Sequence, residues 1–347
     1  MLLITSPRFE EHVTPPGHPE RPERAHVFDA VASRWAEKGG EIAAPRRATR
    51  EALMRVHDGA YVDRIEATSG QAVMLDADTF TSPDTYDVAL LAAGAAVQAC
   101  EYALAQKAPA FALVRPPGHH AEKSRAMGFC VFNNVAVAAA AAVAGGLQRV
   151  AIVDIDVHHG NGTQWMFYDD HRVLYISTHQ HPFYPGTGAA DEVGIERGVG
   201  FTLNVPLQAG ATDADYDLVY RDAVVPVLDV FAPELLLVSA GYDAHERDPL
   251  ASMRVTTAGY TRVVRQLKQV ADRHGVIALV TEGGYELTAL AACLEASFAV
   301  LAGVEIGTLD VSDGAANTEQ SIPASTARGR RALEIVRAAQ SPYWRGI

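Results

Sequence analysis

Short apolar segments alternate with longer amphipathic segments along most of the chain. The apolar segments are rich in Val, Ile and Leu and lack the alternating polarity of a half-exposed strand. That composition is typical of strands buried on both faces of a parallel sheet. The pattern predicts seven strands, at residues 2–5, 111–114, 150–154, 173–177, 201–205, 235–239 and 276–281.

The segments between these strands have the apolar spacing of helices that pack one face against a sheet. They predict helices at residues 22–38, 50–67, 84–106, 134–144, 213–231, 256–274 and 287–303. Asp213 and Thr256 are the predicted N-caps of two of them. Residues 325–340 predict a terminal helix after a polar loop at 311–324. Alternating strands and helices predict an α/β fold, and no linker divides the chain, so we expect one domain over residues 1–347.

Composition and charge exclude several classes of protein. Of the 347 residues, 48% are hydrophobic and 20% are charged, which is an ordinary globular mixture. The formal net charge is −13 and no basic stripe is present, so we expect no direct nucleic-acid partner. The acidic charge favours cationic substrates only weakly.

The sequence also bears on cellular location. The longest apolar run, residues 135–147, is too short to span a bilayer, and the start MLLITSPRFEEH lacks the features of a secretory signal. Three scattered cysteines do not make a disulfide framework. We therefore expect a cytoplasmic protein without a membrane partner.

Chemically reactive residues follow the predicted strands directly. Because ligands bind beyond the carboxyl ends of parallel strands, these segments are expected to meet at one edge of the sheet. The segments are RPPGHH at 115–120, DIDVHHGNG at 154–162, SAGYDAHERDP at 239–249 and EGGY at 282–285. A second unusual segment, residues 179–200, is long and rich in Gly and Pro, which in a compact domain usually indicates a functional loop.

Asp156 and His158 are candidate metal ligands. Residues two apart on an extended strand point the same way, so both side chains can reach one ion while Val157 and His159 point away. Asp243, from another strand end, is the natural third ligand, and this set suits Zn²⁺ with a fourth position left for water. The alternative for the Asp-rich segment is a structural one, in which the carboxylates cap a helix or pair with arginine.

His119, His120 and Tyr285 are candidate catalytic residues. The two histidines need separate orienting partners, for which Asp154 and Asn161 are available, and a carboxylate partner makes a histidine more basic. Tyr285 follows two glycines and could donate a hydrogen bond to a developing oxyanion. The alternatives are a pair of hydrogen-bonded core histidines and an ordinary exposed tyrosine. The segment around Gly128, Phe129 and Cys130 is either core or the wall of a pocket. The remaining histidines considered are expected at the surface: His12, His18, His26, His57, His171 and His274.

Taken together, these segments resemble a known family. RPPGHH, GFCVFNN, DIDVHHGNGTQ, FYPGTG, GYD…DP and EGGY, in this order, are similar to the zinc-dependent histone deacetylases, and specifically to the class II and bacterial amidohydrolase branch. The resemblance covers residues 14–303. It implies the arginase/deacetylase fold, a three-layer α/β/α sandwich around a mainly parallel eight-stranded sheet.

The resemblance also implies roles for individual residues. Zinc would be held by Asp156, His158 and Asp243, with His119 paired to Asp154, His120 paired to Asn161, and Tyr285 polarising the acyl carbonyl. Phe129 and Tyr184 would flank a narrow acyl-lysine tunnel, and Gly128 would contribute backbone to it. A structural K⁺ would lie near Asp154 and Ser177, using carbonyls of Asp156, His158 and Thr178. Asn161 replaces the Asp of class I members, which should make His120 less basic, and Tyr285 is the tyrosine of competent enzymes.

The implied function is hydrolysis of the amide of an acetylated or otherwise acylated lysine side chain in a protein or peptide. The alternative within the family is an acetylpolyamine amidohydrolase. Polyamine-specific relatives carry a glutamate where this chain has Leu250 at the tunnel rim, which favours acyl-lysine, although Asp78 could supply a substitute carboxylate. The preferred acyl length and the oligomeric state stay open.

The alternative functions are an arginase-like ureohydrolase and a non-catalytic acyl-lysine or metal-binding module. An arginase-like enzyme would need a second carboxylate where His245 stands, to bind a second metal. A non-catalytic binding module should have lost Tyr285 or one of the tandem histidines, and neither is lost.

Overall fold

The computed structural model describes residues 1–304 and 326–347, and its centre is a sheet of eight parallel strands. The strand order across the sheet is β2-β1-β3-β8-β7-β4-β5-β6. The strands are β1 Leu2–Ile4, β2 Glu41–Ala43, β3 Ala110–Ala112, β4 Val150–Asp154, β5 Val173–Gln180, β6 Thr202–Leu207, β7 Leu235–Ala240 and β8 Val276–Thr281. Seven of these were predicted from the sequence. The eighth, β2, was missed because it is a short edge strand whose residues are partly or fully exposed, so it lacks the apolar signature of the others.

Helices cover both faces of the sheet, as strand–helix alternation predicts. They are α1 Glu23–Glu37, α2 Arg50–Leu53, α3 Gly59–Glu66, α4 Thr85–Gln106, α5 Asn134–Ala144, α6 Asn161–Met166, α7 Asp213–Val219, α8 Val225–Phe231, α9 Thr257–His274, α10 Leu287–Ala302 and α11 Ala327–Gln340. A single turn of 3-10 helix, Pro7–Glu11, precedes α1. The predicted terminal helix is present as α11, whereas the loop predicted at 311–324 lies outside the described residues.

Two predicted helices differ from those observed. The segment 50–67 forms two short helices, α2 and α3, separated by a non-helical stretch that includes His57 and Asp58. The Asp58 amide donates to the Lys123 carbonyl instead of to a helical partner. The segment 213–231 contains a wide π-helical turn, Tyr220–Val224, just before Pro226. Proline has no amide hydrogen for the regular helical bond, so a wider turn at this point is expected.

The two predicted N-caps have different outcomes. Thr256 caps α9, and its hydroxyl accepts a hydrogen bond from the Gly259 amide. The cap of α7 is Thr212 rather than Asp213, because Thr212 and Asp215 form a reciprocal capping box. The Asp213 carboxylate accepts hydrogen bonds from the amide and hydroxyl of Thr256, so it joins the start of α7 to the start of α9.

The core consists of one hydrophobic layer on each face of the sheet. In β4, Ala151 and Val153 belong to one layer and Val150 and Ile152 to the other, which is why this strand has no polar alternation. Among the described residues, α4 is the one helix long and apolar enough to cross a membrane by length and composition, and 67% of its most apolar window is buried within the protein. Its apolar side chains are therefore accounted for by packing in the core.

This topology decides where the reactive segments meet. β3, β8, β7 and β4 are consecutive neighbours in the sheet and all run in the same direction. The segments RPPGHH, EGGY, GYD and DIDVHH each follow one of these four strands. Their side chains consequently come together at the carboxyl edge of the sheet centre.

Candidate active site

Asp156, His158 and Asp243 form a buried cluster, which we call the metal-ligand cluster. Nδ1 of His158 lies 3.1 Å from Oδ1 of Asp156 and 3.0 Å from Oδ2 of Asp243. One ligand atom from each residue lies within 4.8 Å of the others, a spacing from which a single ion could be bound. The predicted set of three ligands is thus brought together by the fold.

Backbone amides hold the two carboxylates of this cluster. Oδ2 of Asp156 accepts a hydrogen bond from the Gly283 amide at 2.8 Å, and Oδ1 of Asp243 accepts one from the Val157 amide at 2.8 Å. Close packing requires glycine here, because a Cβ at Gly283 would lie 2.3 Å from Oδ2 of Asp243. The carboxylates are therefore oriented by chain segments from neighbouring strand ends.

The prediction that Asp156 and His158 lie on an extended strand is wrong. β4 ends at Asp154, and both residues lie in the loop that follows it. The predicted alternation still holds in outcome, since Val157 is buried in a hydrophobic layer and His159 bonds to Thr187 and Gln164 instead. Hydrogen bonds within the loop, such as the His158 amide to Oδ1 of Asp156 at 2.9 Å, maintain this arrangement.

The electrostatics of the cluster suit a bound cation. Burial alone would lower the pKa of His158, but hydrogen bonds to the carboxylates of Asp156 and Asp243 raise it to about 10. Two buried carboxylates at this point therefore favour a positive charge between them. Two carboxylates and one imidazole are a ligand set that Zn²⁺ accepts, so the residues fit a divalent metal.

The tandem histidines have the two orienting partners that the sequence predicts. Nδ1 of His119 donates to Oδ2 of Asp154 at 3.0 Å, and Nδ1 of His120 donates to Oδ1 of Asn161 at 2.8 Å. The rings are stacked obliquely, with centroids 4.0 Å apart, and both side chains are buried. The structure thus gives one histidine a charged partner and the other a neutral one.

This difference separates the pKa values of the two imidazoles. For His119, burial acts to lower the pKa, but the carboxylates of Asp154 and Asp156 outweigh it and raise the pKa well above the usual value. For His120, burial together with the neighbouring His119 and His158 lowers the pKa well below the usual value. His120 is consequently the neutral imidazole of the pair at pH 7.

Glu282, which the sequence argument did not single out, fixes the backbone of the histidine pair. Its Oε2 accepts hydrogen bonds from the amides of Gly118 at 2.6 Å and His119 at 3.1 Å. Burial raises the pKa of this carboxyl to about 7. The position after β8 in EGGY was a usable signal, because it follows a strand end that also carries Tyr285.

Tyr285 is buried beside these residues, so the reading of it as an ordinary exposed tyrosine is wrong. Its ring meets that of Phe129 edge-on, with centroids 5.9 Å apart, and the Arg24 guanidinium lies 5.2 Å from its centre. The Tyr285 amide donates to Oδ2 of Asp248 at 2.7 Å. The structure therefore places Tyr285 in the interior, in contact with Phe129.

Of the residues predicted to line the tunnel, Tyr184 and Gly128 lie against His120. Tyr184 packs edge-on against His120 at a centroid distance of 5.2 Å, while its neighbour Phe183 stacks on His158 at 5.4 Å. Phe183 was not predicted, although FYPGTG contains it. We call Asp78, Gly128, Phe129, Tyr184 and Leu250 the channel mouth.

Hydrogen bonds between loops and within one loop hold this channel mouth. The Gly128 amide donates to Oδ1 of Asp78 at 3.3 Å, and the Phe129 amide donates to the Thr79 hydroxyl at 3.0 Å. The Leu250 amide donates to Oδ1 of Asp248 at 3.0 Å. The Asp78 carboxylate, predicted as a possible rim charge, is therefore also used to fix the loop that carries Phe129.

Comparison with known proteins agrees with this geometry. A family model for the histone deacetylase domain matches residues 18–301. A probable deacetylase of Archaeoglobus fulgidus is 36% identical over 99% of this chain and 98% of its own length. The histone deacetylase-like amidohydrolase of Pseudomonas aeruginosa is 40% identical over 86% of this chain and 81% of its own length. This chain belongs to the histone deacetylase family.

Structural comparison confirms the predicted fold. The crystal structure of the HDA15 HD domain superimposes with a TM-score of 0.89 at 36% identity, covering 99% of this chain and 94% of that chain. Histone deacetylase 15 of Arabidopsis thaliana is 39% identical over 96% of this chain, which spans 59% of that longer protein. The chain therefore has the arginase/deacetylase fold of a family of hydrolases.

The residues that the family resemblance connects with K⁺ are adjacent and buried. Ser177 of β5 lies opposite Asp154 of β4 in the sheet, and the Thr178 hydroxyl lies 3.5 Å from the Asp154 carbonyl oxygen. The Ser177 hydroxyl also bonds to Nδ1 of His179 at 2.9 Å. The fold thus places these groups at the end of β4 and on the neighbouring strand β5, next to the loop that carries Asp156 and His158.

The histidines outside the motifs need one correction. His12 and His57 are buried rather than at the surface: His12 bonds to the Thr85 hydroxyl at 2.8 Å, and His57 bonds to the Glu122 carbonyl at 3.0 Å.

His245 stands where an arginase-like enzyme would need a carboxylate to bind a second metal. Its ring nitrogens contact the hydroxyl of Thr257, the first residue of α9, and the Arg247 amide, so both nitrogens are engaged within the protein.

A second group of potential ligands lies behind the histidine pair. Atoms of His119, Cys130 and Glu282 lie within 4.8 Å of one another. Burial raises the pKa of the Cys130 thiol well above its usual value, so the thiolate that a metal needs is disfavoured. His119 is also engaged by Asp154. Cys130 is therefore best described as core, one of the two readings that its sequence left open.

Proposed function

We propose that this chain is a zinc-dependent amidohydrolase that removes acetyl or other acyl groups from lysine side chains of proteins or peptides. The observation that carries the proposal is the buried convergence of Asp156, His158 and Asp243 beside the histidine pair and Tyr285. Metal ligands, a neutral imidazole and a phenol donor at one sheet edge are the groups that amide hydrolysis requires.

Asp156, His158 and Asp243 would hold one zinc ion. When bound, zinc supplies Lewis-acid polarisation of the acyl carbonyl and lowers the pKa of water to about 7. The amides of Gly283 and Val157 keep each carboxylate oriented toward the site.

The protein groups then divide the proton transfers between them. Because His120 is neutral and its Nδ1–H donates to Asn161, its Nε2 is free to accept a proton from the attacking water and return it to the leaving amine. His119, paired with Asp154, supplies positive charge next to it. The Tyr285 hydroxyl donates to the acyl oxygen as negative charge develops there.

Leu250 supports acyl-lysine over acetylpolyamine as the substrate. Its apolar side chain offers no attraction to the second ammonium group of a polyamine, whereas a carboxylate at that point would. The Asp78 carboxylate is engaged by the Gly128 amide and the Thr79 hydroxyl, so it is a weak substitute.

The proposal has two further parts, one from the family resemblance and one from the sequence. We infer a structural K⁺ near Asp154 and Ser177, with carbonyls of Asp156, His158 and Thr178 as further ligands. We also infer a cytoplasmic location, on the sequence argument given above.

Steady-state kinetics on an acetyl-lysine peptide and on acetylspermidine test the substrate assignment. We expect a higher kcat/KM on the peptide, and we expect Leu250→Glu to shift the ratio toward acetylspermidine while the uncharged Leu250→Gln does not. A tenfold or greater preference of the unaltered protein for acetylspermidine would replace acyl-lysine by polyamine. Hydrolysis of neither substrate by the zinc-loaded protein would refute the proposed function.

A further inference from the structure

We propose that Asp248 is a positioning residue that sets the location of the Tyr285 hydroxyl in the active site. This inference rests on the proposed function, since it assumes that Tyr285 stabilises the oxyanion. Asp248 is buried at the end of the segment that follows β7, with 7% of its surface exposed. Its hydrogen bonds go to backbone amides, that of Tyr285 among them.

The contacts of Asp248 are directed at backbone amides. Its Oδ2 accepts hydrogen bonds from the amides of Tyr285 at 2.7 Å and Glu286 at 3.3 Å. Its Oδ1 accepts one from the Leu250 amide at 3.0 Å. A buried carboxylate that accepts three amide hydrogen bonds is a strong, charge-assisted anchor.

The chain before Tyr285 gives this anchor its importance. Gly283 and Gly284 precede the tyrosine, and Gly284 has a φ of +123°, a conformation that L side chains rarely adopt. Two successive glycines leave the backbone many alternative conformations. A fixed amide at Tyr285 therefore determines where the side chain leaves the loop.

The other contacts of Tyr285 act on different atoms. Phe129 and Arg24 touch its ring, and Nε of Arg24 donates to the Gly284 carbonyl at 2.9 Å. None of these contacts involves the Tyr285 amide. Asp248 thus complements them by fixing the backbone directly under the catalytic side chain.

The same carboxylate also joins the tyrosine to the channel mouth. Through its second oxygen, Asp248 holds the amide of Leu250, two residues further along the chain. The oxyanion donor and one wall of the mouth are therefore fixed to a single buried group. An asparagine at this position keeps the size of the side chain but retains only one accepting oxygen, so it must release either Tyr285 or Leu250.

Kinetics of single and double variants on a small acetyl-lysine amide test the proposal. We expect Asp248→Asn to lower kcat by about tenfold, and Asp248→Ala by more, with KM nearly unchanged, because a displaced donor weakens transition-state stabilisation. In a Tyr285→Phe background the same Asp248→Asn change should lower kcat less than about twofold, because neighbours that act together are not additive. Zinc content and melting temperature are measured for every variant.

Arg247→Ala is the matched control. Arg247 lies one residue before Asp248, and its exposed guanidinium lies 3.4 Å from the Glu286 carboxylate, so this ion pair joins the same two segments without touching the Tyr285 amide. We expect its kcat to stay within about twofold of the unaltered protein, as surface ion pairs contribute little.

The outcomes separate this inference from the proposed function. If Asp248→Ala has an unaltered kcat, or if Asp248→Asn lowers kcat equally with and without the Tyr285 hydroxyl, Asp248 does not position the tyrosine. Failure of both Asp248 variants to fold would assign the carboxylate to fold stability and overturn the proposal. Full activity of Tyr285→Phe alone would instead refute the proposed mechanism.

Discussion

The metal-ligand cluster and the channel mouth are neighbours, but they are held in different ways. In the cluster, Asp243, which follows β7, binds an amide of the segment after the neighbouring strand β4, and Asp156 binds an amide of the segment after β8, on the other side of β7. In the mouth, Gly128 and Phe129 are held by Asp78 and Thr79, from a loop that contributes no strand to the sheet.

This difference implies that the side chains of the cluster are positioned more rigidly than those of the mouth. The ligands lie in loops directly after strands of the sheet, which brings those loops together, whereas Gly128 and Phe129 depend on hydrogen bonds to a loop outside the sheet. Exposure follows the same division: Asp156 and Asp243 are fully buried, while Tyr184 is 38% exposed. We therefore expect substitutions in the cluster to abolish the reaction and those in the mouth to modulate it.

Removal of one cluster carboxylate is expected to have the largest effect. Asp243→Ala should lower kcat/KM by more than about 10⁴-fold and abolish zinc retention, because the remaining two ligands cannot hold the ion. Activity and metal content of the purified variant provide the measurement. Asp170→Ala, which removes a carboxylate paired with Arg172 elsewhere, is the control and should retain both. Substantial activity in Asp243→Ala would place the metal elsewhere.

Tyr285 connects the two regions, since it follows Gly283, whose amide binds Asp156, and its ring contacts Phe129. Tyr285→Phe should lower kcat by about 10²–10³-fold with little change in KM, the size expected for one oxyanion donor. Zinc content should stay unchanged, which distinguishes this variant from those of the cluster. Turnover equal to that of the unaltered protein would remove Tyr285 from the mechanism.

Gly128 tests how rigidly the mouth is connected to the histidines. Its φ is +58°, and a Cβ at this position would lie 2.4 Å from Cδ2 of His120. Gly128→Ala should therefore displace His120 and lower kcat/KM by about 10- to 100-fold. Gly70→Ala is the matched control, because Gly70 also has a positive φ, +77°, but has open space around it. Equal effects of the two substitutions would mean that backbone strain, and not His120, is responsible.

The sequence predicts the cluster better than its supports. Asp156, His158, Asp243 and Tyr285 could be identified because each follows a strongly apolar strand, and parallel strands bring their ends together. Glu282 and Asp248 were not predicted because the catalytic segments that they bind are distant in sequence. Gly118 is 164 residues from Glu282, and Tyr285 is 37 residues from Asp248.

A polar residue can also be wrongly predicted to lie at the surface when its hydrogen-bond partner is distant in sequence. His12 was expected at the surface, as are most isolated histidines, yet it is buried with Thr85, 73 residues away. The edge strand β2 was missed because its exposed residues form no apolar run. The π turn before Pro226 was missed because it lies within a segment that has the apolar spacing of a helix.

Glu20 binds the arginines that hold the segments carrying the histidine pair and Tyr285. Its substitution has the smallest expected effect, and that effect depends on pH. Its buried carboxylate bonds to Arg115, at the start of RPPGHH, at 2.6 Å, and to Arg24, which holds the Gly284 carbonyl, at 3.0 Å. Burial alone would raise the pKa of Glu20, but Arg115, with smaller contributions from His12 and Arg24, lowers it to about 2 from 4.5. A lowered pKa means that the ionised group stabilises the fold above pH 4.5, and that this stability is lost as the pH falls toward 2.

Chemical denaturation of the unaltered protein and of Glu20→Gln measures this contribution. At pH 7 the variant should be less stable by about 3 kcal/mol, because two buried arginines lose their counter-charge. Between pH 7 and pH 4 the difference in unfolding free energy should narrow by about 1 kcal/mol. A difference that stays constant over this range would contradict the ionised state of Glu20.

The central claim is that Asp156, His158 and Asp243 bind one catalytic zinc ion. Elemental analysis of the purified protein after dialysis, alongside Asp156→Ala, tests it most directly. The account predicts one equivalent of zinc per chain in the unaltered protein and less than about a tenth of an equivalent in the variant. Two tightly bound divalent ions per chain, or equal zinc content in both proteins, would contradict it.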